Sequence, residues 1–402
     1  MQVAPAATTA ALIVGRSPCR LWELDAHERL RRQFAQVGIR QIAEDPAALG
    51  EAQQVLVVDA GFLFDLLTLR GLIAHPGALL VHPASGRVAA ASAARTGLDA
   101  VIACLRDGSA RPPEMRLLTP AELAGYDRNL RKTSPPLLEP VTPDRRAELE
   151  ALLYGNAYKG ITDFVTKWWW PRPARTVVGW CARFGITPNM VTLLGFLLVL
   201  AATFAFYHGA YALGLACGWI MTLLDTVDGK LARVSVASSR IGHILDHGID
   251  LVHPPFWYIA WGLGLGTAQA AGFEVGLLCW LVGAGYVAGR LIEAAFHQLG
   301  HCGMFSWRPF DAWFRLVTAR RNPCLVILTL VTAAGRADLA FIGVVGWTLA
   351  SSAMALFRLF YAIFVRLRSG QPLDSWLKDG ERAGREHPIA WRTFSATRGA
   401  YR

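Results

Sequence analysis

The stretch Asp225-Thr226-Val227-Asp228-Gly229-Lys230-Leu231-Ala232-Arg233, continued by Gly242, Asp246 and Asp250, decides how this chain is read. Four carboxylates fall within 26 residues, beside runs that are otherwise apolar. Ionisable groups at a membrane boundary are costly, so they usually serve a function. Asp225, Asp228, Gly229 and Ala232 recur at i, i+3, i+4 and i+7, which puts them on one helix face. Gly242, Asp246 and Asp250 recur at i, i+4 and i+8 and share one face of the next helix. If the two faces meet, the four carboxylates converge with small residues between them. Carboxylates that close repel one another and take up protons, a conflict that divalent cations resolve. Oxygen-only ligands favour Mg²⁺, Mn²⁺ or Ca²⁺ over zinc. Two such ions can hold a pyrophosphate and polarise its phosphorus. Gly229, Ala232 and Gly242 lack bulk where a nucleotide would approach the backbone, and Arg233 offers a forked donor for phosphate oxygens.

Outward from this stretch the chain reads as a series of membrane spans. Met190–His208 is a full apolar span, Ala210–Leu224 leads into Asp225, and Ile244–Leu265 turns apolar after Pro255. Val275–Ala295 follows, interrupted by Arg290. Cys324–Ala334 is short against the ~20 residues a helix needs, so part of Trp313–Arg321 is read with it. Leu339–Val365 makes six. Loops on one side, near Tyr207–Tyr211, Gly266–Gly272 and Gly335–Ala337, carry only Arg336. The other side carries Arg233, Arg240, the Arg308–Arg321 loop, Arg366 and Arg368. The positive-inside rule puts that side, and both termini, in the cytosol.

The composition agrees. The 402 residues are 53% hydrophobic and only 17% charged, against about a quarter charged in ordinary soluble domains. The net charge is +10, yet residues 1–150 hold 17 basic and 17 acidic side chains. The whole excess lies in the membrane half, which favours anionic lipid or phosphorylated partners over nucleic acid. The seven cysteines are scattered with no C-x-x-C pair, which argues for reduced thiols and against a zinc site.

Residues 1–130 read as a separate soluble α/β domain. Ala10–Val14 and Gln54–Val58 are strand-length apolar runs, the first taken as a strand and not a signal peptide. Leu24–Val37, Phe62–Leu69 and Ala93–Leu105 have helical spacing, so a parallel, Rossmann-like sheet is expected. Residues 131–185 are read as a proline-rich linker and a juxtamembrane amphipathic helix. There Lys159, Lys167, Arg172, Arg175 and Arg183 surround Trp168-Trp169-Trp170-Pro171, a composition suited to the membrane–water boundary. Residues 186–370 are the six-helix domain, and residues 371–402 a cytosolic tail.

The pattern D-x-x-D-G-x-x-A-R-x8-G-x-x-x-D-x-x-x-D resembles the signature of the CDP-alcohol phosphotransferase family at every fixed position. The resemblance runs from about Lys159 to Arg368 and includes Ile186-Thr187-Pro188-Asn189. It implies a six-helix membrane enzyme, working as a homodimer, that cleaves a CDP-linked donor. Such enzymes release CMP and join the phosphoryl group to an acceptor hydroxyl, in phospholipid or inositol-phosphate-type synthesis. By that resemblance Asp225, Asp228 and Asp246 hold two Mg²⁺ or Mn²⁺ ions. Asp250 is the general base and touches a metal. Asp228, Gly229, Ala232, Arg233 and Gly242 line the CDP site. Arg320 and Arg321 are candidates for an acceptor phosphate or the CDP pyrophosphate, with a purely topogenic role as the alternative. Arg290 either faces the site or pairs with Glu293. His243, His247 and His253 are expected to pack at the interface. The polar run Lys159, Thr162, Asp163 and Lys167 resembles the branch of the family that uses inositol phosphates, where it follows a fused cytidylyltransferase.

The first domain resembles a degenerate sugar-phosphate nucleotidyltransferase. Val57-Val58-Asp59 stands where such a domain ends a strand in a metal-binding aspartate. However, Gly15-Arg16-Ser17-Pro18-Cys19-Arg20 lacks the glycines of a phosphate loop. An inactive regulatory or docking domain is therefore expected, with an active cytidylyltransferase as the alternative. A divalent-cation transporter is the alternative for the membrane domain; clustering of the acids at one membrane edge argues against it.

Overall fold

The computed structural model describes residues 9–109, 111–123, 125–127, 130–134, 136–237 and 240–395. Within them, the side chains at 125, 126, 134, 240, 241 and 243–247 fall outside the description. The N-terminal domain runs β1 (Thr9–Val14), α1 (Ala26–Gln36), β2 (Ile42–Ala43), β3 (Gln54–Asp59), β4 (Phe62–Phe64) and α2 (Leu66–Ile73). It continues with β5 (Ala78–Val81), β6 (Val88–Ala94), α3 (Leu98–Asp107) and β7 (Arg116–Leu118). Six of these strands form one sheet in the order β2-β1-β3-β6-β5-β7.

This sheet is α/β but not all-parallel as expected, because β6 runs antiparallel to both β3 and β5. Only six residues join β5 to β6, and so short a connection can make only an antiparallel pair; parallel neighbours need a crossover. The Ala93–Leu105 helix starts late, at Leu98, since Ala93 still pairs with Val55 in the sheet. Likewise Phe62–Phe64 is a strand, with the helix beginning after the Asp65 N-cap.

The proline-rich segment is not a free linker. β8 (Gly125–Asp127) pairs with β9 (Lys132–Ser134), and β10 (Leu138–Pro140) pairs with β4. Leu137 and Leu138 are buried, and the Leu137 N–H donates to Asp65 Oδ2 at 3.1 Å. α4 (Arg146–Asn156) leads to a π-helical turn over Val165–Trp169 and then to α5 (Pro171–Arg183), the juxtamembrane helix.

Six long helices follow: α6 (Pro188–Tyr207), α7 (Tyr211–Val234), α8 (Arg240–Leu263), α9 (Val275–Phe296), then the short α10 (Pro309–Val317), α11 (Arg321–Ala333) and α12 (Ala337–Ser369). α13 (Gly380–Glu386) and α14 (Pro388–Phe394) close the described chain. Three helices are long and apolar enough to cross a membrane: α6, α9 extended to Leu299, and α12. α10 and α11, bent by 43°, would together make a fourth. α7 falls short of that standard because its last turns carry Asp225, Asp228, Lys230 and Arg233.

Small and aromatic side chains face inward; Phe206, Trp257, Trp261 and Phe341 form the centre of the bundle. The Trp257 and Trp261 indoles donate to the Val199 and Ala337 carbonyls, satisfying their N–H groups inside an apolar core. Leu193, Leu197, Leu200 and Phe204 on α6, with Phe357, Phe360 and Phe364 on α12, are exposed, as a lipid-facing surface requires.

The N-terminal domain docks on the end of α7. Buried Arg29 donates to the Val234 carbonyl at 2.7 Å and to the Leu21 carbonyl at 2.8 Å. Arg32 donates to the Ser235 carbonyl at 2.9 Å. A helix leaves its last carbonyls unpaired and partially negative, so cationic donors from another domain cap it well.

Candidate active site

The site is assembled from α6, α7, α8 and α11. Thr187 caps α6 and Pro188 occupies its first turn, which explains the Ile186-Thr187-Pro188-Asn189 sequence locally. One turn on, the Thr192 hydroxyl donates to Asp228 Oδ2 at 2.7 Å. Asp225 and Asp228 lie on the same face of α7, one turn apart, and Asp250 reaches them from α8. Thr192, Gly195, Asp225, Asp228 and Asp250 line a common cleft that encloses 10 Å³.

Arg321, the first residue of α11, closes this cleft. Its Nη2 lies 2.6 Å from Asp225 Oδ2 and its Nη1 2.5 Å from Asp250 Oδ1. One guanidinium thus joins carboxylates from two helices, in a forked geometry that lysine could not reproduce. The Asp250 side chain is 39% exposed and that of Asp225 is 22% exposed, so Asp250 is the more accessible of the two. Asp163 braces the Arg321 end of α11, accepting from Asn322 Nδ2 at 2.9 Å and from the Thr166 N–H at 3.0 Å. The polar run before α5 is therefore tied to the residue beside Arg321.

The donor set of the cleft is oxygen only, as Mg²⁺ or Mn²⁺ would require. A cation, the Arg321 guanidinium, already lies between two of the acids. Among the described residues, no group of three or more His, Cys, Asp and Glu side chains is arranged to hold a metal. The Asp246 side chain, fourth member of the set, lies outside the described residues, as do those of His243 and His247.

The residues expected to line a nucleotide site are divided. Asp228 faces the acid cleft. Ala232 and Arg233 line a second cavity of 150 Å³, between α7 and the N-terminal domain, with Arg29, Asp127 and Ala157. Arg233 Nε donates to the Ala157 carbonyl at 2.8 Å. A Cβ at Gly229 would lie 3.1 Å from the Arg233 guanidinium, so glycine gives that side chain its room. Gly242 stands in the first turn of α8, half-buried.

Arg290 pairs with Glu293, at 2.6 and 3.1 Å. Arg320 bonds the same carboxylate. His253 packs as expected, its ring 4.8 Å from that of Trp257 and its Nδ1 2.6 Å from the Ile249 carbonyl.

The sequence reading missed Thr192, although it lies four residues past the Thr-Pro helix start. The N-terminal Asp59 is already engaged: its Oδ1 accepts from the Gly61 N–H at 2.8 Å, and Arg87 lies 3.3 Å from its Oδ2. Burial raises its carboxyl above the ordinary range.

Comparison with known proteins agrees with this geometry. Residues 185–368 match the family described as CDP-alcohol phosphatidyltransferase. The chain is 38% identical over 85 residues to the archaetidylinositol phosphate synthase of Pyrococcus horikoshii, covering 21% of this chain and 44% of that one. It is 28% identical over 131 residues to choline/ethanolaminephosphotransferase 1 of Arabidopsis thaliana, covering 28% and 32% of the two chains. It is 31% identical over 88 residues to the phosphatidylinositol phosphate synthase of Mycobacterium marinum, covering 20% and 38%. The matches thus span less than half the length of these relatives. None of the residues in the family match belongs to the N-terminal domain.

Proposed function

Since residues 185–368 belong to the CDP-alcohol phosphatidyltransferase family, a family of enzymes, we propose that this chain transfers a substituted phosphoryl group from a CDP-alcohol to an acceptor hydroxyl, releasing CMP. The observation that carries the reading is the meeting of Asp225, Asp228 and Asp250 in one cleft at the end of α7. Asp225, Asp228, Asp246 and Asp250 would hold two divalent ions, which neutralise the pyrophosphate when bound. Asp250, the more accessible acid, takes the proton of the acceptor hydroxyl. The acceptor oxygen bonds to the phosphorus that carries the donor alcohol. That phosphorus loses its bond to the bridging oxygen, whose electron pair leaves with CMP. Arg321 orients Asp250 before substrate binds and is displaced towards phosphate oxygens as the cleft opens. Gly229, Ala232, Arg233 and Gly242 serve the nucleotide along α7 and the start of α8.

The acceptor is read as a phosphorylated polyol of the inositol-phosphate type. Arg290 and Arg320 share a single carboxylate, Glu293, which leaves cationic surplus for an acceptor phosphate. Two of the relatives named above make inositol phosphate lipids. We read all six long helices as spans and the protein as a homodimer, with both termini and the site on the cytosolic face. The Arg-rich helix ends and the docked soluble domain lie together, as that orientation requires. The N-terminal domain is read as a docking domain, since Arg29 and Arg32 hold the helix that bears the acids.

Purified full-length protein with Mg²⁺, CDP-diacylglycerol or a CDP-polyol, and inositol phosphate should release CMP. Absence of CMP release from every such pair would overturn the assignment. Metal uptake into proteoliposomes without nucleotide would favour a transporter instead.

A further inference from the structure

A second, larger cavity lies on the other side of α7 from the acids. It encloses 740 Å³ and is lined by Lys132, Lys159, Lys167, Arg172, Arg175 and Arg392, with no carboxylate among its described lining residues. Three parts of the chain build it: the β9 hairpin, the segment from Gly155 to α5, and the C-terminal α14. They converge at Gly160, where a Cβ would lie 2.2 Å from the Phe394 carbonyl oxygen and 2.8 Å from Lys132 Cβ. No residue lining it also lines the acid cleft. Tyr158, on its wall, carries Lys230 over its ring. Lys230 follows Asp228 by two residues and so lies on the opposite face of the helix.

Two of the cations are built in rather than spread over a surface. Lys132 is 1% exposed and Lys167 is 7% exposed. Their ammonium groups are held by neutral carbonyls, Asn156 O at 2.7 Å and Gly160 O at 3.0 Å. Burying an ammonium against neutral partners is costly, and an anion at the same place offsets that cost. Burial lowers both amines, each to about 8, which leaves them charged at neutral pH. The rim is of a different kind: Trp168 and Trp169 line it with half their surface exposed. α5 then carries exposed Trp180 and leads through Phe184 to the lipid-facing α6. Aromatic side chains with one apolar and one polar end belong at the headgroup level of a bilayer.

We propose that this cavity binds a phosphate-bearing anion at the membrane surface, separately from the acid cleft, with the phosphate among Lys132, Lys167, Arg172, Arg175 and Arg392. That chemistry is shared by an anionic phospholipid headgroup and a soluble phosphomonoester. Its volume, within the ~300–1,000 Å³ of ordinary ligand sites, admits either.

The test uses the full chain in detergent micelles. Dioctanoyl phosphatidylglycerol, dioctanoyl phosphatidylcholine and glycerol phosphate are each titrated, and bound probe is counted by native mass spectrometry and equilibrium dialysis. Phosphatidylglycerol should bind at least tenfold more tightly than phosphatidylcholine. The Arg172→Gln/Arg175→Gln/Arg392→Gln variant should lose at least tenfold, and Asp225→Asn should bind as the parent does. Retention of binding by glycerol phosphate assigns the site to phosphate as such; its absence assigns it to lipid. Arg172 and Arg392 are exposed, so the triple variant should fold, as its unchanged melting temperature would verify. Equal binding of both lipids, or undiminished phosphatidylglycerol binding by the folded triple variant, would overturn the proposal.

Discussion

Arg321 stands between Asp225 and Asp250, 2.6 Å from one carboxylate and 2.5 Å from the other. It links the two helices whose sequences carry the acid pattern to a third helix that carries none of it. The acids therefore do not meet as bare like charges; a guanidinium holds them in register.

Replacing Arg321 by glutamine should lower the melting temperature. Removing one partner of a buried ion pair costs about 3–5 kcal/mol, and partial exposure of Asp250 should bring this to roughly half. The two carboxylates would then lack a counter-charge, so Mg²⁺ should raise the melting temperature of the variant more than that of the parent. Equal Mg²⁺ responses would show that the carboxylates do not form a cation site.

Asp250→Asn should lower CMP release by about 10²–10⁴-fold, the usual contribution of a positioned general base. Donor binding should change far less. Asp225→Ala should instead raise the Mg²⁺ concentration needed for half-maximal rate. If either variant matched the parent in CMP release, the roles given to these two residues would be wrong.

Arg29→Ala removes the donor that caps α7 from the N-terminal domain. A hydrogen bond involving a charged group contributes about 1.5–3 kcal/mol, so the end of α7 should open more often. Amide exchange at Ser235, Val236 and Ala237 should accelerate by at least tenfold, with slower CMP release. Unchanged exchange would mean that the two domains are coupled elsewhere.

Anion binding in the basic cavity should weaken with alkali. Lys132 and Lys167 are lowered by burial to about 8, so both amines are mostly protonated at pH 7 and mostly neutral at pH 9. Around Lys132, Asp127 and Asp65 favour the charged form, while Arg233 and Lys167 oppose it. A phosphodiester keeps its charge across this range, so only the protein loses charge. Phosphatidylglycerol affinity should fall about tenfold between pH 7 and pH 9, the loss of one charge-assisted contact. Lys167→Arg, whose guanidinium stays protonated, should show a shallower fall. A pH-independent affinity would separate the two lysines from the ligand.

The convergence of acids could be read from spacing alone, because a helix places i, i+3 and i+4 on one face whatever surrounds it. The six long helices likewise fall where the apolar runs lie, since burying backbone away from water leaves few alternatives to a helix. The sheet was harder to read: apolar runs locate strands but do not give their direction, which depends on the length and path of each connection. The linker reading failed because proline content says where a chain cannot be helical. It does not say that Leu137 and Leu138 will be buried against a neighbouring strand.

The sequence by itself determined the chemistry available at the end of α7: oxygen donors, small residues and a basic membrane boundary, all set by residue type and helical period. Only tertiary structure decided which groups meet. Arg321 comes to Asp225 across 96 residues, and Lys132, Lys167 and Arg392 come to one cavity from three separate segments. Such meetings depend on how helices cross and domains dock, which no local period encodes.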